Sequence, residues 1–449
     1  MLNYIWLALV LLAVAIGGWT NHLKEVTDGA FEGARTAVTI ALGLIGIMAL
    51  WLGVMRLAER AGLVQRIARA LRPVMLRLFP DVPTEHPAMG AMLMNMAANM
   101  LGLGNAATPL GLRAMRDLET LNPRPGVATN AMCTFLAINT SSVQLIPATA
   151  IAILAASGST RPTAIVGTAL LATLCAASVA IISVKILEKL PIFQLEKLPV
   201  PQQSMVRPDA AGSPNDQSLL DESALAQPAR APMPIWGTLS LLVLGVFFAV
   251  LFIRVMAPTV FGLEMPADSS PNGFVRAVNA LSILAIPFLL SFFPLYAAAR
   301  GVKVYDEFVE GAKEAFNVIL KIIPFLVTML VAISMFKGAG GIDLLKGLLS
   351  PLLAPLHFPP DLVPLALMRP LSGSGTLALL TDIIHRLGPD NIVSLMAATV
   401  YGSTETTFYV AAVYFGSVGI KRTRHAIRAG LLADLTGVIA SVMICRAVL

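Results

Sequence analysis

Phe31 to Val38 reads FEGARTAV, and Phe308 to Phe316 reads FVEGAKEAF. The likeness runs on for more than a hundred residues. Ala61 and Gly62 recur as Ala339 and Gly340, Pro73 as Pro351, and FPD at Phe79 to Asp81 as FPPD at Phe358 to Asp361. The turn GLGN at Gly102 to Asn105 returns as GSGT at Gly373 to Thr376, and AINTSS at Ala137 to Ser142 as GSTETT at Gly402 to Thr407. One unit is therefore written twice. In each copy the last matches fall in apolar segments interrupted by Gly and small polar residues, a pattern that points to a site between membrane-embedded repeats.

Composition places the chain in a bilayer. It is 56% hydrophobic and 13% charged, with a mean hydropathy of +0.77, which no ordinary soluble domain shows. Cys133, Cys175 and Cys445 all lie within apolar runs, so they read as small hydrophobes rather than a disulfide framework. The histidines lack metal-ligand spacing. The formal net charge of +6 comes from basic residues beside apolar spans, which fits the positive-inside effect and not nucleic-acid binding. Ile5 to Ile16 resembles the core of a signal peptide, but no Lys or Arg precedes it and no small-residue cleavage site follows, so it reads as a retained first helix.

Spans are expected at 3–19, 36–56, 128–155, 162–187, 234–257, 275–298, 316–337, 390–415 and 427–447. Residues 87–118 and 364–387 are each broken by Gly-rich turns and read as helical hairpins that enter the membrane and turn back. Such backbone is tolerated at membrane depth only when buried in protein or lining a polar cavity. Interfacial amphipathic helices are expected at 22–35 and 300–315, and short helices at 63–78 and 343–355. The expected organisation is a first repeat at 1–189, a Pro- and Ser-rich flexible linker at 190–233, two connecting helices at 234–298 and a second repeat at 299–449. The fold class is an all-α polytopic membrane protein.

Arg56, Arg60, Arg66, Arg69, Arg72 and Arg77 crowd one loop and should hold it in the cytoplasm. Counting from there puts Lys185, Lys189, the linker, Arg300, Lys303 and the KRTR loop at Lys421 to Arg424 on the same side, with the N-terminus. Five crossings separate the two copies, an odd number, so with re-entrant hairpins the repeats are inverted.

The breaks supply the chemistry. In the first copy Asn95, Asn99, Asn105 and Thr108 lie in the hairpin, and Asn130, Thr134, Asn139, Thr140, Ser141, Ser142 and Gln144 in the next helix. In the second copy Ser372, Ser374 and Thr376 are followed by Thr399, Tyr401, Ser403, Thr404, Thr406 and Thr407. Hydroxyls, carboxamides, freed carbonyls and half-helix N-termini together can replace the hydration shell of a polar solute. The plain alternative is that such residues only join close-packed membrane helices. From this set, with Arg369 added, Asn99, Asn105, Thr108, Asn139, Thr140, Ser141, Ser142, Gln144, Arg369, Ser372, Ser374, Thr376, Ser403, Thr404 and Thr406 are the candidate solute ligands.

Charge separates the copies. Glu405 aligns with Thr140, Arg369 with Ala98 and Asp434 with Thr173. An ionised group at mid-membrane costs at least ~2.5 kcal/mol, so each needs a partner or a task. Glu405 and Asp434 are candidate ion-coupling carboxylates for Na⁺ or H⁺. The alternatives are an ion pair of Glu405 with Arg369, and a packing role for Asp434. Arg369 is open between that pair and a substrate anion.

LGLGNAATPLGLRAM at Leu101 to Met115 and TNAMCTFLAINTSSVQLIP at Thr129 to Pro147 resemble spore maturation protein A. RPLSGSGTLAL at Arg369 to Leu379 and YGSTETTFYVAAVYFGSVGIKRTRHA at Tyr401 to Ala426 resemble spore maturation protein B. The chain thus resembles a fusion of the two, within the nucleoside-recognition (Gate) group shared more distantly with concentrative nucleoside transporters. The resemblance implies two inverted repeats, each with a re-entrant hairpin and a broken helix, around a central site. The expected function is ion-coupled secondary transport of a small polar solute, nucleoside-like or a small organic anion. The alternative is a non-transporting membrane scaffold or signalling component. No Walker A, GxSxG or metal-ligand spacing supports an enzyme, and no cofactor is expected. Expected partners are the solute, the lipid of the cytoplasmic membrane and further copies of the chain in a dimer or trimer, without nucleic acid.

Overall fold

The computed structural model describes residues 2–102, 104–194, 233–264, 272–341, 344, 347 and 358–449, with side chains for all of these except 2–5, 104–106, 321, 322 and 325. Most of the expected linker, most of the short helix at 343–355 and the side chain of Asn105 lie outside the described residues.

Two long helices form the spine. α1 (Leu2–Trp19) leads into α2 (Leu23–Arg60), which has 38 residues and is about 57 Å long at 1.5 Å per residue. Its counterpart α11 (Val304–Gly338) has 35 residues. The amphipathic stretches expected at 22–35 and 300–315 are therefore not separate surface helices. Each continues into the adjoining span, because no proline or cap interrupts the periodic pattern between them. A Cβ on Gly29 would lie 2.6 Å from the Ser334 carbonyl, and one on Gly338 2.3 Å from that of Glu25. The two helices thus run antiparallel in backbone contact. The repeated FEGA motif explains the closeness. Gly33 sits where a Cβ would be 2.6 Å from the Leu330 carbonyl, and its counterpart Gly311 where one would be 2.7 Å from that of Leu52. At one end of the pair Arg56 bridges Glu307 (2.9 Å) and Glu314 (2.8 Å).

α3 (Leu63–Leu78) leads to the first hairpin, α4 (Pro87–Met100) and α5 (Gly104–Glu119). Its arms, about 21 and 24 Å long, fall short of the ~30 Å hydrocarbon core. Asn95 ties the arms through the Ala107 carbonyl (2.7 Å). The span expected at 128–155 is two helices, α6 (Asn130–Ser141) and α7 (Ala148–Ala156), followed by α8 (Ile165–Leu187). After α9 (Ile235–Met256), α10 (Gly273–Ala299) and α11, the pattern repeats. α12 (Val363–Met368) and α13 (Gly373–Leu387) form the second hairpin, α14 (Ile392–Ser403) and α15 (Thr407–Ser417) the second broken helix, and α16 (Ala426–Val448) the last helix.

Among the described residues α2, α8, α9, α10 and α16 are long and apolar enough to cross a bilayer, so the protein is a multi-pass membrane protein. Among the described residues, the two largest apolar clusters lie around the hairpins. One gathers Met89, Met92, Met115, Phe135 and Phe415 around the first hairpin, and the other Ile153, Leu365, Leu380 and Val400 around the second. Outside the spans, Asp390 accepts hydrogen bonds from the Ser159 hydroxyl (2.5 Å) and from Thr160 N–H (3.0 Å), which hold its carboxyl down at about 2. At the opposite end, residues at the start of the expected linker are packed. Arg424 donates to the Phe193 carbonyl, and the Phe193 ring meets His425 edge-on. Burial, then Arg424 and Lys185, push His425 down to about 4.

Candidate functional site

The two breaks have different local causes. In the first, Ser142 takes a left-handed conformation (φ 34°) and ends α6, and Pro147, which lacks an N–H, precedes α7. In the second, Thr404 (φ −142°, ψ 169°) and Thr406 are extended between α14 and α15. Each break frees backbone groups that a continuous helix would pair, and their destinations define the site.

The breaks meet. Glu405 N–H donates to the Thr140 carbonyl at 2.7 Å, a main-chain bond between the copies. The next two carbonyls, of Ser141 and Ser142, both accept from the Thr173 hydroxyl of α8, at 2.9 and 3.0 Å. Across the junction, Thr407 at the start of α15 donates its hydroxyl to Asp434 Oδ2 of α16 at 2.6 Å. Asp434 is 2% exposed, and its Oδ1 is enclosed with no hydrogen-bond partner among the described residues. α16 can approach this closely because glycines flank Asp434 on the same face. A Cβ on Gly430 would stand 2.8 Å from Thr407 Cγ2 and 3.3 Å from Thr140 Cγ2, and one on Gly437 2.3 Å from Thr404 Cγ2.

Glu405 is partly exposed, and its side chain takes the Gln144 carboxamide at 3.5 Å, while Gln144 also reaches the Ser142 hydroxyl at 3.4 Å. Arg369 is 2% exposed. Its Nε donates to the Thr404 hydroxyl (3.2 Å), its Nη2 to the Tyr401 carbonyl (3.0 Å), and its guanidinium lies 4.9 Å from the centre of the Tyr401 ring. Among the described residues Arg369 and Glu405 form no ion pair within 4 Å, and the guanidinium turns its Nε and Nη2 to the break itself.

Each hairpin tip docks on the break of its own copy. Leu145 N–H donates to the Met100 carbonyl (3.0 Å), and Asn99 donates to Asn139 Oδ1 (2.9 Å). In the second copy Phe408 N–H donates to the Pro370 carbonyl (3.0 Å), and a Cβ on Gly373 would lie 3.2 Å from the Thr406 hydroxyl. Among the described residues, these tip bonds run to the tip's own break and not to the opposite tip.

The expected ligands therefore divide. Thr140, Gln144, Thr404, Glu405, Arg369 and Asp434 converge on the junction, with Ser142 and Thr406 beside it. Ser372 caps α13 through Gly375 N–H (3.0 Å) and contacts the Ser374 hydroxyl (3.2 Å), while Thr376 donates to the Ser372 carbonyl (2.7 Å). Ser141 donates back to the Ile138 carbonyl, and Ser403 turns to Ser441 on α16 (3.1 Å). These last hydroxyls serve the helices that carry them. Thr108 lies on α5. Outside the expected set are Gly430, Gly437 and Tyr414, whose hydroxyl meets Asn95 (3.3 Å). The spacing of Gly430, Asp434 and Gly437, at i, i+4 and i+7, was the readable sign that one helical face is kept small around a carboxylate.

Spore maturation protein A of Bacillus subtilis (strain 168) is 46% identical over 182 residues, covering 40% of this chain and 93% of that protein. Spore maturation protein B of the same organism is 46% identical over 170 residues, covering 38% of this chain and 96% of that protein. The chain belongs to the spore maturation protein A and B family, both joined in one polypeptide. The family model described as nucleoside recognition matches residues 41–157 and 319–421. Those segments contain both hairpins and both breaks, whereas Thr173 and Asp434 fall outside them. Among solved structures, the Alcanivorax borkumensis YdaH transporter aligns over 99% of this chain and 96% of its own, with a TM-score of 0.29 and 14% identity.

Proposed function

We propose that this family member is a secondary transporter of a small polar solute, nucleoside-like or a small organic anion, working by alternating access between two inverted repeats. The hydrogen bond from Glu405 N–H to the Thr140 carbonyl carries the reading, because it closes the two breaks on each other at one place. Unwound backbone from both copies, a buried guanidinium and two carboxylates then surround a single junction, the arrangement that midplane solute and ion sites use. Glu405, partly exposed beside Gln144, faces the solute and coupling ion.

Inversion is supported by the spine. A two-fold axis across antiparallel α2 and α11 requires the contact of Gly33 with Leu330 to recur with roles exchanged, and Gly311 with Leu52 is that contact. Re-entrance is supported by hairpin arms too short to span. The Arg-rich end that holds Arg56, Arg60 and Arg300 is placed on the cytoplasmic side of the cell membrane. The description of the matched family, nucleoside recognition, favours a nucleoside as the first solute to try.

A second reading, a non-transporting scaffold, draws on α9, which is apolar all round and buries only Gly237. Purified protein in liposomes separates the two. Uptake or exchange of radiolabelled nucleosides or small dicarboxylates, lost in Glu405→Gln with normal folding, supports transport. No flux for any solute of either class, under proton or sodium gradients, overturns it.

A further inference from the structure

The junction holds two carboxylates but in different states of satisfaction, and the difference points to a role for one of them. We propose that Asp434 is a proton site: its carboxyl group is neutral while the breaks are joined, and it gives its proton to water when they part. The first half of that statement stands on geometry alone, and the second rests on the transport reading.

Asp434 lies in α16, a candidate span, and among the described residues only one of its oxygens is paired, with the Thr407 hydroxyl. An ionised carboxylate with an enclosed, unpartnered oxygen is far costlier than a carboxylic acid in the same place. A metal cation there would need a shell of several oxygens. Oδ1 is enclosed, and the helix face on either side of it is packed, since a single added carbon at Gly430 or Gly437 would press on Thr407, Thr140 or Thr404. A proton needs no volume.

The charges agree. Those acting on Asp434 are Arg369, from the loop before α13, and Glu405, from the second break. α14 brings Tyr401, held against Arg369, and α15 brings Thr407 and Tyr414. α6 and α8 present Thr140 and Thr173 to the junction, and α10 meets α16 through Val275 and Val448. With Arg369 and Glu405 both charged, an ionised Asp434 would leave the three with one net negative charge in the membrane, and one proton removes it. The matched position in the first copy is Thr173, which never ionises. The site is therefore single, one proton per chain.

Infrared difference spectra of the purified full-length protein, taken across a pH titration, test this. A protonated carboxyl C=O band should be present near neutral pH, shift on ¹³C-aspartate labelling, vanish in Asp434→Asn and persist in Glu405→Gln. Absence of such a band, or its survival in Asp434→Asn, overturns the proposal. If Asp434→Asn does not fold, Asp434→Glu carries the test. The band must then move and lose its ¹³C-aspartate shift, and an unchanged band overturns the assignment. In liposomes, Asp434→Asn should lose proton-driven accumulation. A band without any flux in the wild type supports the proton site and rejects the transport reading. Sodium-driven flux without a band does the reverse.

Discussion

The two breaks do the same structural task with different chemistry. In the first, the carbonyls freed at Ser141 and Ser142 both accept from the Thr173 hydroxyl, so the break is closed by a neutral donor on the next helix. In the second, the polar residue on the next helix is an acceptor, Asp434, and the break supplies the donor, Thr407. One hydroxyl serving two carbonyls leaves nothing over. A carboxylate served by one hydroxyl leaves an oxygen unpaired. The first break is thus a finished joint, and the second keeps unspent capacity, as does the partly exposed Glu405 beside it. The two breaks share a geometry, and the second adds a carboxylate to it.

The comparison breaks first if the copies are not equivalent in the spine. Gly33→Leu and Gly311→Leu should each cost about 3 kcal/mol or more and abolish folded yield, because the added side chain meets a main-chain carbonyl that cannot move aside. Gly46→Leu, with open space around it, should fold normally. Fluorescence-detected size exclusion would show this, and tolerance of one spine variant but not the other would end the claim of matched roles.

Next comes an exchange of chemistry. Thr173→Asp sets a carboxylate against two carbonyls and should destabilise more than Thr173→Val, which only orphans them at about 1–3 kcal/mol. Asp434→Asn should cost less than either, since an amide has the shape of the acid. Thermal melts in detergent rank the three, and a milder Thr173→Asp would mean the first break has spare room for charge.

Thr407→Val sharpens the same point. It removes the sole partner of Asp434 among the described residues and should cost about 1–3 kcal/mol. No change in melting temperature would show that the Thr407 hydroxyl is replaceable by water.

The smallest effect lies outside the spans. Asp390 has its carboxyl held at about 2 by Ser159 and Thr160, below its ordinary value of 3.8. A depressed carboxylate stabilises fully above its unfolded value and loses that contribution as pH falls through the folded one. Wild type should therefore lose a little stability between about pH 4 and 2, and Asp390→Asn should flatten that part of the profile. Acid melts of both proteins check it, and identical slopes would remove Asp390 from the account.

Much of this was legible in the chain. The hairpins, the broken helices and the pairing of Asp434 with Thr173 follow from repeat spacing, Gly-rich turns and apolar length, because local backbone preference and burial act over short stretches. The merging of the amphipathic segments into α2 and α11 was not legible, since a surface helix and the first turns of a long one share the same periodicity. Nor was the fate of single hydroxyls. Ser141 and Ser403 have the composition of ligands, yet they bond within α6 or to α16, and only neighbours brought by the fold separate them from Thr140 and Thr404.

By itself the sequence determined an all-helical membrane chain, the places where its helices break, and the presence of Arg369, Glu405 and Asp434 where the matched positions Ala98, Thr140 and Thr173 are neutral. Those features follow from hydropathy, Gly and Pro, and the cost of charge in lipid, which each segment carries with it. Only the tertiary structure decided that the two breaks bond to each other, that Arg369 turns to Thr404 and Tyr401 instead of Glu405, and that Asp434 keeps one oxygen bare. Hydrogen-bond satisfaction is a property of pairs, and residues some 260 apart become a pair only when packing along α16 and the spine brings their backbones within reach.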